Sequence, residues 1–303
     1  MTSILLTGAS GQVGWELQRL LAGSYSIVAP GREQLDLASP DSIRKAVCEI
    51  KPDIILNPAA YTAVDKAESV PELAMAVNGV APGVLAEEAK RLNALLVHYS
   101  TDYVFNGNKS APYTESDTPN PQCVYGNTKL AGERAVQEVG GKHLILRTSW
   151  VYGIHGGNFM KTILRLAKER SELRIVADQF GAPTWARLLA TSTALILSRW
   201  QAKGFDKNQS GVYHLTAEGH TNWQQYAEEI VRLARQYDDS LKSKSIAIHP
   251  IATHEYPLPA KRPANSVLAT EKIKHTFGLN LPEWRDDLAA CMRELYSSSA
   301  KPG

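Results

Sequence analysis

Tyr125 and Lys129 stand four residues apart, and on a helix residues at that spacing share a face, so a phenol and an ammonium can act on one point. A free tyrosine has a pKa of about 10 and exchanges protons poorly near neutrality. A neighbouring cation stabilises the phenolate and lowers that value. Thr101, near the end of the apolar run Leu95–Asp102, can hold a carbonyl oxygen in place for protonation. A tyrosine and a lysine at this spacing commonly decorate solvated helices, so the weight of the trio rests on the elements that must carry it.

The first of those elements is Ile4-Leu5-Leu6-Thr7-Gly8-Ala9-Ser10-Gly11-Gln12-Val13-Gly14. Ser3 to Leu6 reads as a strand buried on both faces, three glycines follow at intervals of three, and Trp15 to Leu21 has helical spacing. Strand, glycine turn and helix aim free backbone N–H groups at a phosphate, and a missing Cβ lets a ligand approach closely. Further strands are expected at Ser26–Pro30, Asp53–Ala60, Leu95–Asp102 and Leu144–Trp150, with a long helix over Pro71–Leu92 bent near Pro82-Gly83. The alternation gives a Rossmann-type α/β fold, a doubly wound parallel sheet with ligands at the strands' carboxyl ends. Residues 1–150 form the expected NADP-binding domain, which 185–217 rejoin through a strand at Gly211–Leu215. Residues 151–303 form a smaller substrate-binding α/β domain. Helices are expected there at Phe159–Arg170, Ala186–Trp200, Trp223–Gln236 and Trp284–Tyr296, with an extended segment at Leu173–Thr184.

After the second strand, an acid about 20 residues past the glycines would bind ribose hydroxyls. Pro30-Gly31-Arg32 stands there instead, and a guanidinium suits a 2′-phosphate, which favours NADPH and leaves NADH open as a second cofactor. A solvated loop arginine is the competing reading. The cofactor-facing set is Gly8, Ser10, Gly11, Gln12, Val13, Gly14, Arg32, Asp36, Leu37, Ala59, Ala60 and Tyr61, with Tyr125 and Lys129. Ala59 and Ala60 are small enough for close backbone approach. His98, before the strand's end, reads as a packing residue.

Composition sets outer limits. The 303 residues carry a net charge of +2, which gives no electrostatic case for a nucleic-acid or membrane partner. Cys48, Cys123 and Cys291 are far apart and form no C-x-x-C pair, which suits a reducing compartment. No basic leader precedes the first strand and no apolar run approaches a membrane span, so a cytoplasmic protein is expected.

Thr7–Gly14, Ser100–Phe105 and Tyr125–Lys129 resemble the extended short-chain dehydrogenase/reductase family. Arg147–Tyr152, Asp178–Thr184 and Lys261-Arg262-Pro263 with Ser266 narrow the resemblance to the dTDP-4-dehydrorhamnose reductase family, over nearly the whole chain. The resemblance implies reduction of the C4 ketone of a 6-deoxyhexulose nucleotide by NADPH, with Thr101, Tyr125 and Lys129 catalytic and Tyr125 the proton donor. It implies a substrate set of Thr101, Asp102, Tyr103, Trp150, Gln179 and Arg262. Trp150 would pack on the sugar, with a core tryptophan as the competing reading; Gln179 and Arg262 would meet the nucleotide, or Arg262 would lie on the surface.

One position departs from that family. Some members dimerise through a magnesium ion held by glutamates. Glu16 and Glu294 sit where two ligands would be, but Arg187 stands at the third. A cation there opposes a metal, so no metal site is expected, and a homodimer stays open. Two rivals also remain. A dehydratase of the same fold typically needs a carboxylate pair after the threonine, where only Asp102-Tyr103 stands, and Cys123, the one thiol an epimerase could use, is a lone cysteine near a loop, more often inert. A non-catalytic NADP-binding regulatory subunit would have no use for Tyr125 and Lys129.

Overall fold

The computed structural model describes residues 1–299; the last four of the expected 151–303 domain lie outside the described residues. In chain order, the first half runs β1 (Ser3–Leu6), α1 (Gln12–Leu21), β2 (Ser26–Val28), α2 (Pro40–Ile50), β3 (Ile54–Asn57), α3 (Val64–Ala67), α4 (Pro71–Met75), α5 (Ala81–Arg91), β4 (Leu95–Thr101), α6 (Val124–Val139) and β5 (His143–Thr148). The second half runs β6 (Val151–Tyr152), α7 (Phe159–Glu169), β7 (Glu172–Val176), β8 (Phe180–Gly181), β9 (Thr184–Trp185), α8 (Ala186–Lys203), β10 (Gly211–His214), β11 (Thr221–Asn222), α9 (Trp223–Ala234), α10 (Asp239–Lys242), β12 (Ala247–Ile251), α11 (Glu271–Phe277) and α12 (Trp284–Ser299).

β3, β4 and β5 are buried along their whole length, which is why their sequences show apolar runs instead of alternation. They lie in a six-stranded parallel sheet of order β10-β5-β4-β3-β1-β2. From β1 the chain goes first to one neighbour, β2, and then across to the other, β3, so a crevice opens at their carboxyl ends. β10 returns from the second half to pair with β5. One apolar layer joins the sheet to α1 and α8 through Leu17, Leu21, Leu189 and Leu197. The other joins it to α2 and α5 through Ile43, Val47 and Leu85.

The long helix expected at Pro71–Leu92 is broken by a π-helical turn, Ala76–Val80, between α4 and α5. Pro82 has no N–H to give to the carbonyl four residues back, and its ring would press on that carbonyl, so a widened turn relieves the clash. The carbonyl belongs to Asn78, and a Cβ at Gly132 of α6 would collide with it. Glycine at 132 therefore lets α6 lie directly on the π turn. The N-terminus of α6 is held from two sides. Cys123 Sγ accepts from Gly126 N–H at 3.5 Å, and Glu68 Oε1 accepts from Val124 N–H at 2.8 Å.

Candidate active site

Gly8 ends β1 in the left-handed region at φ 59°, where an added Cβ would meet the Ala59 Cα at 2.8 Å. Gly11 N–H closes the turn on Gly8 O at 2.9 Å, and a Cβ at Gly14 would run into that same carbonyl. α1 is capped by Gly11, with no side-chain cap and no acid in its first turn, so its N-terminal N–H groups are free to meet an anion. These features fit a dinucleotide diphosphate. Around the turn, Ser10 O accepts from His155 Nε2 at 3.0 Å, and the Gln12 amide reaches Asn158 at 2.9 Å. Val13 packs on the large core, Leu37 on the smaller one, and Ala59 and Ala60 are half-buried under the turn. Tyr61 is pinned by Asn78, whose Oδ1 accepts from Tyr61 N–H at 2.8 Å. Arg32 is exposed, and Asp36 is exposed with Oδ1 accepting from Ala38 N–H.

Thr101 closes β4, and its Oγ1 donates to Asp102 Oδ1 at 2.9 Å while accepting from Tyr103 N–H at 3.2 Å. A Cβ at Gly126 would overlap the Tyr103 carbonyl, so α6 can settle here only with glycine. That brings the Tyr125 ring edge-on to Tyr103, with centroids 5.5 Å apart. Burial pushes the Tyr125 phenol well above its ordinary value; a Thr101 hydrogen bond opposes the rise, and Asp102 and Cys123 add to it. The phenol thus holds its proton at neutral pH, as a donor must.

Lys129 is placed differently from the spacing-based expectation. Its Nζ donates to the Tyr99 carbonyl at 2.6 Å and lies 3.2 Å from His98 Nε2, so the cation faces strand β4 and is not among the groups that shift the phenol. Burial brings Lys129 down to about 8, with Glu133 opposing. His98 is thus a buried, oriented residue that also meets Lys129. Its signal was available in the sequence: His98 and Ser100 share one strand face, and Lys129 and Glu133 share one helix face. Each meets its partner, with Ser100 Oγ donating to Glu133 Oε1 at 2.5 Å.

The adjoining wall is made by Asp102, directly after β4, by Trp150, just past β5, and by Trp223 stacked on Trp150. Asp102 is buried, and Oδ2 makes no hydrogen bond of normal geometry. Burial lifts this carboxyl to about 6, against the pull of Ser266 and Thr101. Trp150 sits at φ 47°, a region side chains other than glycine rarely adopt, and such strain collects at functional sites. Its indole stacks on Trp223 at 3.5 Å between centroids, 11° from parallel. Trp223 escaped the sequence reading because nothing local marks it.

Two of the expected substrate residues make contacts within the protein. Gln179 spends both ends of its amide inside the protein: Oε1 accepts from Trp223 Nε1 at 3.2 Å and Nε2 donates to Thr253 Oγ1 at 3.0 Å. Gln179 thus ties Trp223 to Thr253. Arg262 forks onto Asp65 through Nη1 and Nη2 at 2.6 and 2.7 Å, which fixes the orientation of the guanidinium. Arg187 lies between Glu16 and Glu294, with Nε 3.1 Å from Glu16 Oε2 and Nη2 2.7 Å from Glu294 Oε1. The guanidinium bridges the two glutamates.

A phenol, a hydroxyl and an amine gathered at the carboxyl ends of a parallel sheet, beside a glycine turn, define an oxidoreductase of the short-chain dehydrogenase/reductase class. Comparison with known proteins narrows that class. The family model described as RmlD substrate binding domain matches residues 1–297. The chain is 51% identical to a dTDP-4-dehydrorhamnose reductase of Burkholderia thailandensis, over 97% of this chain and 99% of that one. Solved structures of dTDP-4-dehydrorhamnose reductases agree. That from Clostridium acetobutylicum has a TM-score of 0.89 at 38% identity, covering 97% of this chain and 99% of its own. That from Bacillus anthracis, in complex with NADP, has a TM-score of 0.87 at 34% identity, covering 97% and 100%. The chain belongs to the dTDP-4-dehydrorhamnose reductase family.

Proposed function

We propose that the chain reduces the C4 ketone of dTDP-4-dehydro-L-rhamnose to dTDP-L-rhamnose with NADPH, the last step in making that sugar nucleotide. The observation that carries this reading is the protonated Tyr125 phenol beside Thr101, on the sheet edge that also bears the glycine turn. The turn at Gly8, Gly11 and Gly14 and the N-terminus of α1 hold the cofactor diphosphate, with Ser10, Gln12 and Val13 beside it and Ala59, Ala60 and Tyr61 beneath. Arg32 takes the 2′-phosphate, near Asp36 and Leu37. NADPH, when bound, supplies a hydride.

The protein supplies the rest. Thr101 holds the ketone oxygen and Tyr125 gives it a proton. Lys129 stands on the nicotinamide-ribose side from its seat on β4. Asp102 and Tyr103 line the sugar, Trp150 offers it an apolar face, and Arg262, oriented by Asp65, approaches the diphosphate from its free edge. Residues 1–150 with 185–217 act as the NADP-binding unit, and 151–303 as the substrate unit. The site needs neither a nucleic acid nor a membrane, and no helix among the described residues is long and apolar enough to cross a membrane. The synthetic reaction suits the cytoplasm.

NADPH oxidation with the purified 4-keto-6-deoxy sugar nucleotide tests the reading. Product with a new C4 hydroxyl is expected. Absence of turnover with intact NADPH binding would favour the regulatory-subunit alternative.

A further inference from the structure

Both broad sides of the Trp150 ring are covered by the protein. Trp223 lies along one, with centroids 3.5 Å apart and planes 11° from parallel. Gly181 lies along the other. A Cβ at Gly181 would meet Trp150 Cε2 at 2.5 Å, nearer than Nε1 at 2.7 Å and Cζ2 at 2.8 Å. Cε2 is a ring-fusion atom bonded to both, so an atom that meets it first comes over the ring and not at its edge. That Cβ would not fit in the 3.5 Å gap to Trp223, and no Trp223 atom is among its three nearest, so Gly181 covers the opposite side. Both covers come from one pair of strands: Gly181 of β8 stands opposite Thr221 of β11, two residues before Trp223. Phe159 also packs against Trp223, at 4.6 Å between centroids. The apolar surface that Trp150 turns to a ligand is therefore the rim of a stacked pair, and Trp223, itself partly exposed, shares that rim.

The hydrogen bonds behind Trp223 have a fixed direction, because an indole N–H can only donate. Gln179 turns Oε1 to Trp223 Nε1–H at 3.2 Å and Nε2 to Thr253 Oγ1 at 3.0 Å. A flipped amide would set N–H against N–H at the indole. Thr253 Oγ1, accepting from Gln179, gives its own proton to Asp178 Oδ1 at 2.6 Å, and Asp178 also takes the Thr253 N–H at 3.0 Å. Three bonds thus run one way, from the indole to a carboxylate, and hold Trp223 in its plane.

We propose that Trp223 is a specificity-determining residue for the sugar and Gln179 the positioning residue that holds it, the two indoles meeting the sugar together along the rim of their stack. Placement supports this. Thr148 ends β5 and is paired with Thr101, and Trp150 follows two residues later, so the stack stands beside the hydroxyl assigned to the ketone. Trp150 holds φ 47° to enter the stack, whereas the other non-glycine residues with positive φ among those described, Lys51 and Asn93, are exposed and lie just past the ends of α2 and α5. The chemistry fits as well. Ring edges carry the positive end of the aromatic quadrupole, so a rim of two indoles suits a 6-deoxyhexose, which presents a methyl group beside hydroxyl oxygens. The second indole adds apolar area for that methyl to bury.

The inference rests on the proposed reductase reaction, and its test separates the sugar from the nucleotide. KM for the 4-keto sugar nucleotide, the inhibition constant of dTDP and NADPH affinity are measured in wild type, Gln179→Met, Gln179→Glu and Trp223→Leu. Methionine keeps the length and loses both hydrogen bonds; glutamate keeps an acceptor for the indole. Gln179→Met and Trp223→Leu should raise KM about tenfold, the scale of one lost hydrogen bond or apolar contact. Gln179→Glu should raise it less, and kcat, NADPH affinity and the dTDP constant should stay nearly unchanged in all three. A dTDP constant that rises in step with KM puts Gln179 on the nucleotide, and an unchanged KM puts the stack in the core; either overturns the proposal. If the variants fail to fold, circular dichroism of wild type decides, because indoles stacked this closely couple their transitions into paired bands. Those bands should change on adding dTDP-L-rhamnose and hold on adding dTDP; an equal response to both, or to neither, overturns the proposal. Bands that respond to dTDP-L-rhamnose alone, in a protein that turns over no ketone, would instead refute the reductase reading and leave this one standing.

Discussion

The two sides of the active-site crevice are built on opposite principles. Under the catalytic helix, Thr7, Asn57, His98 and Lys129 are buried and each polar side chain meets another at 2.6 to 3.2 Å. On the adjoining wall, Asp102 keeps a buried oxygen outside normal hydrogen-bond geometry, and Trp150 is held at φ 47°. A buried polar group without a partner costs about 1–3 kcal/mol and a strained backbone a similar amount. The floor is thus finished by folding alone, whereas the wall retains polar capacity and strain that a polar, partly apolar ligand can relieve. In the proposed reaction the floor would serve the cofactor and the wall the sugar.

The largest effect should come where floor and wall meet. Tyr125→Phe keeps the ring and removes the proton donor, so kcat should fall by about 10²–10⁴-fold with NADPH affinity nearly unchanged. Stopped-flow turnover alongside cofactor titration checks this, and a residual rate above a few per cent of wild type would remove Tyr125 from its role.

Asp102 tests the cost of the wall. Its carboxyl titrates near 6 in the folded protein against 3.8 ordinarily, so the native state binds the proton more tightly than the unfolded chain. The stabilising contribution is present below pH 4 and is lost as pH rises through 6. Asp102→Asn removes the penalty of an ionised buried group, worth on the order of 2–3 kcal/mol at pH 8 and nothing at pH 3.5. Urea unfolding at both pH values measures it, and equal changes at the two would mean the carboxyl titrates normally.

Trp150 separates strain from recognition. Trp150→Ala should raise KM for the sugar nucleotide by the loss of roughly 1–3 kcal/mol of contact, leaving NADPH binding unaltered. Trp150→Gly should lose the same affinity yet melt at a higher temperature than the alanine variant, because glycine accepts a positive φ. If both variants only lower stability and KM does not move, Trp150 serves the core.

The smallest effect belongs to the cofactor's outer edge. Arg32→Ala should weaken NADPH on the order of tenfold, within the range of a charge-assisted hydrogen bond, and barely touch NADH. Calorimetric titration of both cofactors distinguishes this from a loop role, which would weaken them equally.

Much of the molecule could be read from local patterns, because strands, helices and glycine turns are set by interactions within a few residues. The apolar runs ending at Leu6, Asn57 and Thr101 mark buried parallel strands, Gly8-x-x-Gly11-x-x-Gly14 marks the turn, and Tyr125 with Lys129 marks a helix face. The resemblance carried by those segments and by Asp178–Thr184 sufficed to assign the family. Tertiary structure decided what those patterns leave free, namely which distant group each polar side chain meets. Lys129 was read against Tyr125, its neighbour along the helix, yet β4 lies beneath α6 and offers His98 and a carbonyl instead. Arg262 found Asp65, Gln179 found Trp223, and Trp150 found the same tryptophan. Each contact joins residues far apart in sequence, and its geometry depends on how sheet and helices stack, which no short-range spacing encodes.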